Sequence, residues 1–282
     1  MAEKINIYKM VTDRIIAELE KGIIPWQKPW TGIKSGAFNR ISKNPYSLIN
    51  QMLLKHNGEY ATFKQWQQLG GHIRKGEKSE IVVFWKIYKK EIINDNGEKE
   101  IQKIPLLRYY NVFHISQVDG IESLEKPFNE VTPIEAADNI IIDYVTREHI
   151  DFQEKKSDKA FYNPSFDMAV IPLKEQYNNI NEYYSTAFHE LTHSTGHKTR
   201  LDRLESDLVA AFGSETYSKE ELVAEIGSAT ILNTLNIETS QTFRNSAAYI
   251  QSWIQVLNND NRFIVSAASK VEKAVNYILN IG

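Results

Sequence analysis

The 282-residue sequence contains no cysteine. Disulfides, thiolate nucleophiles and thiolate metal sites are excluded, so any metal must be held by His, Asp and Glu. The chain also lacks any apolar run near the roughly 18 to 20 residues that cross a bilayer. Its N-terminus lacks the basic, apolar, small-residue order of a signal peptide. A soluble cytoplasmic protein is expected. Internal repeats and low-complexity segments are missing too. What is there is a globular balance, 42% hydrophobic and 24% charged, long enough for one large or two ordinary domains.

The net charge of -3 hides an asymmetry. Residues 1–126 hold 20 Lys+Arg against 14 Asp+Glu, or +6, and residues 127–282 hold 13 against 22, or -9. A basic half joined to an acidic half predicts two domains with two jobs, the first involving a polyanion. Both halves read as α+β. In the first, Ile7 to Leu19 has helical spacing ended by Gly22 and Pro25, Pro45 to Lys55 reads as a second helix, and "TFKQWQQLGG" as a third. "SEIVVFWKIYKKEII" and "IPLLRYYNVFHISQV" read as two strands across a turn at Asn94 to Gly97. In the second half, "PIEAADNIIIDYVTRE", Asn181 to about Thr195, Ser218 to Leu235, Ala247 to Leu257 and Ala267 to Leu279 read as helices, and "AFYNPSFDMAVIP" as short extended segments.

Chemistry concentrates in "HELTHSTGHKT", His189 to Thr199. His189-Glu190-Leu191-Thr192-His193 is H-E-x-x-H inside a predicted helix, where i and i+4 imidazoles share a face and can share a metal at about 2.0 to 2.1 Å. Glu190 beside them suits proton transfer to and from a hydrolysed bond. A third ligand is needed. His197 is a poor choice, being eight residues past His189 and beyond Gly196; the elongated motif H-E-x-x-H-x-x-G-x-x-H would need histidine where Thr199 stands. "YSKEELVAEIGSA" offers a better one, since Glu221 and Glu225 lie four residues apart, one to bind metal and one to hydrogen-bond a ligand histidine. Either could be the ligand, and Ser218 to Glu221 also fits a helix-capping box.

The first half combines cations with aromatics, a combination that binds single strands through phosphate attraction and base stacking. Trp26 and Trp30, in the proline-rich stretch, are the stacking candidates. Lys28, Arg40 and Lys43, with Arg74, Lys75 and Lys78 in a glycine-bounded turn, are the phosphate candidates. Trp66 and Trp85 sit in periodic segments and are expected in the core.

Read together, "PWQKPW", "NPYSLIN", "TFKQWQQLGGHIRKGEKSEIVVFWK", "YYNVFHISQVDGI", "FYNPSFDMAVIP", "YYSTAFHELTHSTGHKTRL" and "FGSETYSKEELVAEIGSA" resemble, in order, the ArdC-type antirestriction proteins. "AAYIQSWIQVLNNDNRFIVSAASKVEKAVNYIL" extends the resemblance to Leu279. It implies a single-stranded DNA-binding domain over 1–126 and a mainly helical zincin-like metallopeptidase domain with a small sheet over 127–282. It also implies that Glu221 to Ala224 is the glutamate-ligand element of a gluzincin-like site holding zinc or another divalent ion such as Mn2+. The function expected is that of an antirestriction-type protein of a mobile element or phage, with single-stranded DNA and a host restriction or defence protein as partners. A DNA-localised protease acting on DNA-bound proteins and a non-catalytic DNA-coating protein are the alternatives.

Overall fold

In a computed structural model, the structure describes residues 6–28, 36–93, 99–124, 133–204, 215–237 and 247–281. The first helix, α1 (Ile7–Leu19), starts where the Asn6 side chain accepts the Lys9 amide, and it buries the stripe Val11, Ile15 and Leu19. The second, α2 (Leu48–Leu53), is shorter than expected. Pro45 pairs with Phe38 as an isolated bridge, and the buried Gln51 amide bonds Ala37 and the Tyr46 carbonyl, so the preceding residues are held in a loop. Thr62 and Gln65 form a reciprocal capping box on α3 (Phe63–Gln68), which ends at Gly70 with a φ of +86° that glycine adopts without strain.

These helices pack beside a four-stranded sheet in the order β1 (Phe38–Asn39), β2 (Glu59–Ala61), β5 (Lys99–His114), β4 (Glu80–Ile93). A two-stranded ribbon of β3 (His72–Ile73) and β6 (Val118–Asp119) flanks it. Strand β4 pairs antiparallel with β5 along its whole length, from Glu80 opposite Val112 to Ile93 opposite Lys99. The expected turn at Asn94 to Gly97 lies outside the described residues.

The second half opens with α4 (Pro133–Arg147), followed by a three-stranded sheet in the order β7 (Asp151–Lys155), β9 (Met168–Pro172), β8 (Phe161–Asn163). Strand β7, parallel to β9, had no sequence signal because "DFQEK" buries almost nothing. Four helices follow: α5 (Ile180–Ser194), α6 (Glu215–Thr234), α7 (Ala247–Asn259) and α8 (Phe263–Ile278). Among the described residues, no helix is long and apolar enough to cross a membrane.

One hydrophobic core joins the halves, running from Val11, Ile15 and Leu19 through Trp26 and Leu48 to Phe188, Ile226, Ile264 and Val275. Polar ties cross the same seam. Thr12 Oγ1 donates to the Asn261 carbonyl at 2.8 Å, and Asn233 Nδ2 donates to the carbonyls of Trp26 and Lys28 at 3.0 Å each.

Helices α5 and α6 meet where Gly227 faces Thr192. A Cβ on Gly227 would stand 2.6 Å from Thr192 Cγ2 and 2.8 Å from its Oγ1. The threonine cannot swing away cheaply, because it is fully buried and its hydroxyl bonds the Phe188 carbonyl at 2.7 Å. Overpacking of this kind costs about 1 to 3 kcal/mol. Gly227→Val is therefore expected to lower the melting temperature by roughly 2 to 5 °C. Thr192→Ala should partly rescue Gly227→Ala in a double-mutant cycle read by thermal unfolding; strict additivity of the two would argue against this contact.

Candidate metal centre

Helix α5 buries Tyr184, Ala187, Phe188 and Leu191 at 0% exposure, which fixes its rotation and leaves His189 and His193 on the side facing α6. Helix α6 buries Leu222, Val223, Ala224 and Ile226 likewise and brings Glu221 opposite the two rings. His189 Nε2 and His193 Nε2 are 3.2 Å apart, His189 Nε2 and Glu221 Oε2 are 3.5 Å apart, and His193 Nε2 and Glu221 Oε1 are 3.3 Å apart. Ligand atoms at 2.0 to 2.1 Å around a tetrahedral ion are separated by about 3.3 Å, so the trio fits one divalent ion such as zinc. A donor set of two imidazoles and one carboxylate accepts zinc or manganese without needing sulfur.

Glu225, the alternative ligand, is turned to the other nitrogen of His189, with Oε2 3.8 Å from Nδ1. Helix α6 begins at Glu215, so Ser218 to Glu221 lies within the helix and is not a capping box at its start. Glu190, next to His189, is buried.

A second layer holds the rings, and most of it was not read from the sequence. Glu220 Oε1 lies 3.3 Å from His193 Nδ1, and Arg203 donates to both oxygens of Glu220, with Nη2 2.9 Å from Oε1 and Nε 3.1 Å from Oε2. Arg203 also donates from Nη1 to Thr195 Oγ1 at 2.6 Å and from Nη2 to the Thr192 carbonyl, which anchors it to the last turn of α5. Burial works against charge on His193, yet the hydrogen bonds it donates to the Glu220 and Glu221 carboxylates outweigh it and push its pKa up to about 10. Burial likewise opposes a charged His189, and the Glu221 carboxylate with Glu190 raises it above the ordinary value. Burial would raise Glu221 and Glu220, but the facing imidazoles, with Arg203 beside Glu220, hold both below the usual carboxylate range.

The glycine after the histidines serves this layer. At Gly196 the chain doubles back, with the amides of Arg203 and Leu204 both donating to the Gly196 carbonyl. A Cβ there would meet Leu204 Cγ at 2.7 Å. The turn thus returns an arginine to the site where the elongated motif would return a histidine. His197 bonds Thr199 Oγ1 through Nδ1 at 2.8 Å, within its own turn. Arg200, whose side chain is 1% exposed, donates to the Ser194 carbonyl at the end of α5 and pairs with Asp167 and Tyr162 of the β8–β9 hairpin.

The residues expected to bind DNA fare unevenly. Trp26 is 0% exposed and packs edge-on against Trp253, at 5.2 Å between ring centroids, so it is a core residue and not a stacking platform. Its proline-rich surroundings predict a loop, but Pro25–Gln27 form a single 3-10 turn packed against α6 and α7. Trp30 lies outside the described residues. Lys28 spends its ammonium on the Met52 and Leu54 carbonyls, and burial lowers its pKa. Arg40 is paired with Glu59, and Arg74 with Glu77 and Asp119. Lys43, Lys75 and Lys78 are exposed. Trp66 is in the core as expected, whereas Trp85 is 51% exposed.

Comparison with known proteins finds relatives of both halves. The family model described as the N-terminal domain of anti-restriction factor ArdC matches residues 5–113, and that of a zincin-like metallopeptidase matches residues 137–270. The chain is 34% identical to the uncharacterized protein y4eC of Sinorhizobium fredii, over 97% of this chain and 91% of that protein. It is 35% identical to the DNA primase TraC of Escherichia coli over 99% of its own length, spanning only 28% of the primase. The crystal structure of antirestriction ArdC from plasmid R388 without metal superposes with a TM-score of 0.75 at 31% identity, covering 99% of this chain and all of the other. The Mn(II)-bound form of that protein gives 0.74 over 98% of each chain.

Purified protein should take up about one equivalent of zinc or manganese, read by metal analysis after chelation and reloading. His189→Ala and Glu221→Ala should abolish uptake; Glu225→Gln, Glu220→Gln and Arg203→Ala should weaken it roughly 10- to 100-fold. Full uptake by Glu221→Ala with loss in Glu225→Gln would reverse the two roles.

Asp167 offers a test by pH. Burial would raise its pKa, but Arg200 and Tyr162 hold it below the ordinary value, so the pair stabilises the fold above about pH 4 and that contribution is lost as pH falls through the native pKa. Asp167→Asn should cost on the order of 2 to 3 kcal/mol at pH 7 in urea unfolding. The difference from wild type should shrink in acid; a gap independent of pH would refute the linkage.

Proposed function

Because the chain belongs to the ArdC-type antirestriction family, we propose that it is an antirestriction protein of a mobile element or phage that holds single-stranded DNA with its N-terminal half and hydrolyses a protein substrate with its C-terminal half. The observation that carries the hydrolytic part is the spacing of His189 Nε2, His193 Nε2 and the Glu221 carboxylate, 3.2 to 3.5 Å along each edge. These three residues would hold zinc, or manganese as in the metal-bound relative. A divalent ion there supplies Lewis acidity toward a peptide carbonyl and toward water.

The chain's own residues do the rest. Glu190, on the same turn of α5 as His189, takes the proton of the attacking water on its carboxylate and returns it to the leaving nitrogen. Glu220 holds the His193 ring through Nδ1 and Glu225 places its charge 3.8 Å from Nδ1 of His189, while both Nε2 atoms face Glu221. Arg203 keeps Glu220 ionised and in place. The nucleic-acid part is supported by the +6 charge of residues 1–126 and by the occurrence of a segment as long as this chain within a DNA primase. A host restriction or defence protein, held near the incoming strand, is the substrate class that fits both parts.

Glu190→Gln tests the reading. Metal uptake and DNA binding should be unchanged, while proteolysis falls by roughly 10²- to 10⁴-fold and protection of incoming DNA against restriction is lost with it. Undiminished protection by this variant would instead support a coating protein without turnover. Binding of wild type to a single-stranded oligonucleotide should fall steeply between low and physiological salt.

A further inference from the structure

We infer that the single strand is seated on the open face of the β4–β5 hairpin, with Phe84, Tyr88 and Tyr110 as stacking surfaces and Lys86 and Arg108 as phosphate contacts. This inference rests on the single-stranded DNA reading and gives that reading an address that the sequence did not supply.

The register of the hairpin places these side chains together. Directly opposed residues share a face, and so do residues two apart along a strand. Phe84 opposes Arg108, Lys86 opposes Leu106, Tyr88 opposes Ile104, and Val82 opposes Tyr110. One face of β4 therefore reads Phe84, Lys86, Tyr88, and the same face of β5 reads Leu106, Arg108, Tyr110. At its base this face is packed, since Val82 and Val112 are buried against Tyr46, Leu54 and Tyr60. Beyond that it opens to solvent: Phe84 is 45% exposed, Tyr110 48%, Tyr88 56% and Leu106 39%.

Three properties select a single-stranded polyanion as the occupant. First, the rings are braced, with Phe84 6.0 Å from Tyr110 and 6.2 Å from Tyr46 between centroids, so they present area without losing side-chain freedom on binding. Second, Lys86 and Arg108 are exposed and, among the described residues, neither is paired with a carboxylate, unlike Arg40 and Arg74. No acidic residue occurs in 82–90 or 104–112, so the charge is of one sign. Third, aromatic and cationic groups alternate along the strand. Phe84 and Tyr88 are about 13 Å apart with Lys86 midway, so a strand with bases stacked on both rings would carry its intervening backbone past the ammonium. The opposite face is less available, because Trp85 leans on Tyr8 of α1 at 6.0 Å, and Val83 and Leu107 are buried in the main core.

The test uses the full chain and a fluorescent oligothymidylate, with affinity read by anisotropy across a salt series. Tyr88→Ala, at an exposed position, and Phe84→Ala should each weaken binding about tenfold with the salt slope unchanged. Lys86→Gln and Arg108→Gln should each weaken binding and flatten the slope by about 0.7. Lys75→Gln with Lys78→Gln should do less than either aromatic change. Circular dichroism and melting curves exclude misfolding, and Tyr88→Phe should restore binding. If wild type binds the strand and the four hairpin variants bind equally well, the hairpin is not the site while the DNA reading stands. If wild type does not bind at all, both fall. Tighter binding of an oligouridylate through the same residues would make RNA the occupant and overturn the assignment as stated.

Discussion

The closeness of α5 and α6 is the constraint from which the metal centre follows. A side chain at Gly227 would collide with a threonine whose own rotamer is fixed by a hydrogen bond to its helix. The two backbones can therefore approach only because that position is bare. Their approach sets the 3.3 to 3.5 Å gaps between Glu221 and the imidazoles, less than two turns of α6 earlier. Glu221 and Glu225, four apart, share a side of α6, and Glu220 stands about 100° around the helix from Glu221, so the three approach the histidines of α5 at different angles. One carboxylate meets the shared point of the two Nε2 atoms and the other two meet the Nδ1 atoms behind it. The three roles differ by rotation about a single helix axis.

This arrangement explains what could be read from the sequence and what could not. The spacing of His189 and His193 is local, so helix geometry alone placed both rings together. Glu221 against Glu225 was undecided because helical periodicity puts them on one side and does not say which nitrogen of which ring each will meet. Glu220 and Arg203 escaped notice for a related reason: their partnership depends on the reversal at Gly196, a tertiary turn whose glycine was read only for its failure to deliver a histidine. The signal was nevertheless present, since a glycine followed by an arginine seven residues later is a chain able to fold back on a helix end. Cations are favoured there, and both Arg200 and Arg203 use it.

In the N-terminal half, the tryptophans show where periodicity misleads. Trp85 stands in a strand that alternates large residues on both faces, which ordinarily signals a strand buried on both sides. Here β4 and β5 are longer than the body they pack on, so the outer part of the pattern is left in solvent. Trp26 fails in the opposite direction. Prolines around it report an irregular backbone, but irregular backbone can be buried once its polar groups are met, and Asn233 meets the carbonyls of Trp26 and Lys28. Neither outcome follows from local sequence, because both depend on how far the C-terminal helices reach across the N-terminal half.

That reach also bears on how the two halves work together. Helix α6 carries Glu221 near one end and Asn233 near the other, twelve residues or about 18 Å apart. The same rigid rod thus supplies a corner of the candidate metal centre and the polar tie to the segment at Trp26. Helix α1 extends this seam by packing into the common core with Phe263 to Ile278 behind it. Charge asymmetry alone predicts two domains with two jobs, and separate domains ordinarily unfold separately. A continuous core argues for cooperative unfolding instead, since removing α1 would uncover the apolar faces of α7 and α8 that support α6. In such a fold the β4–β5 hairpin and the candidate metal centre are held at a fixed separation by the packing between them.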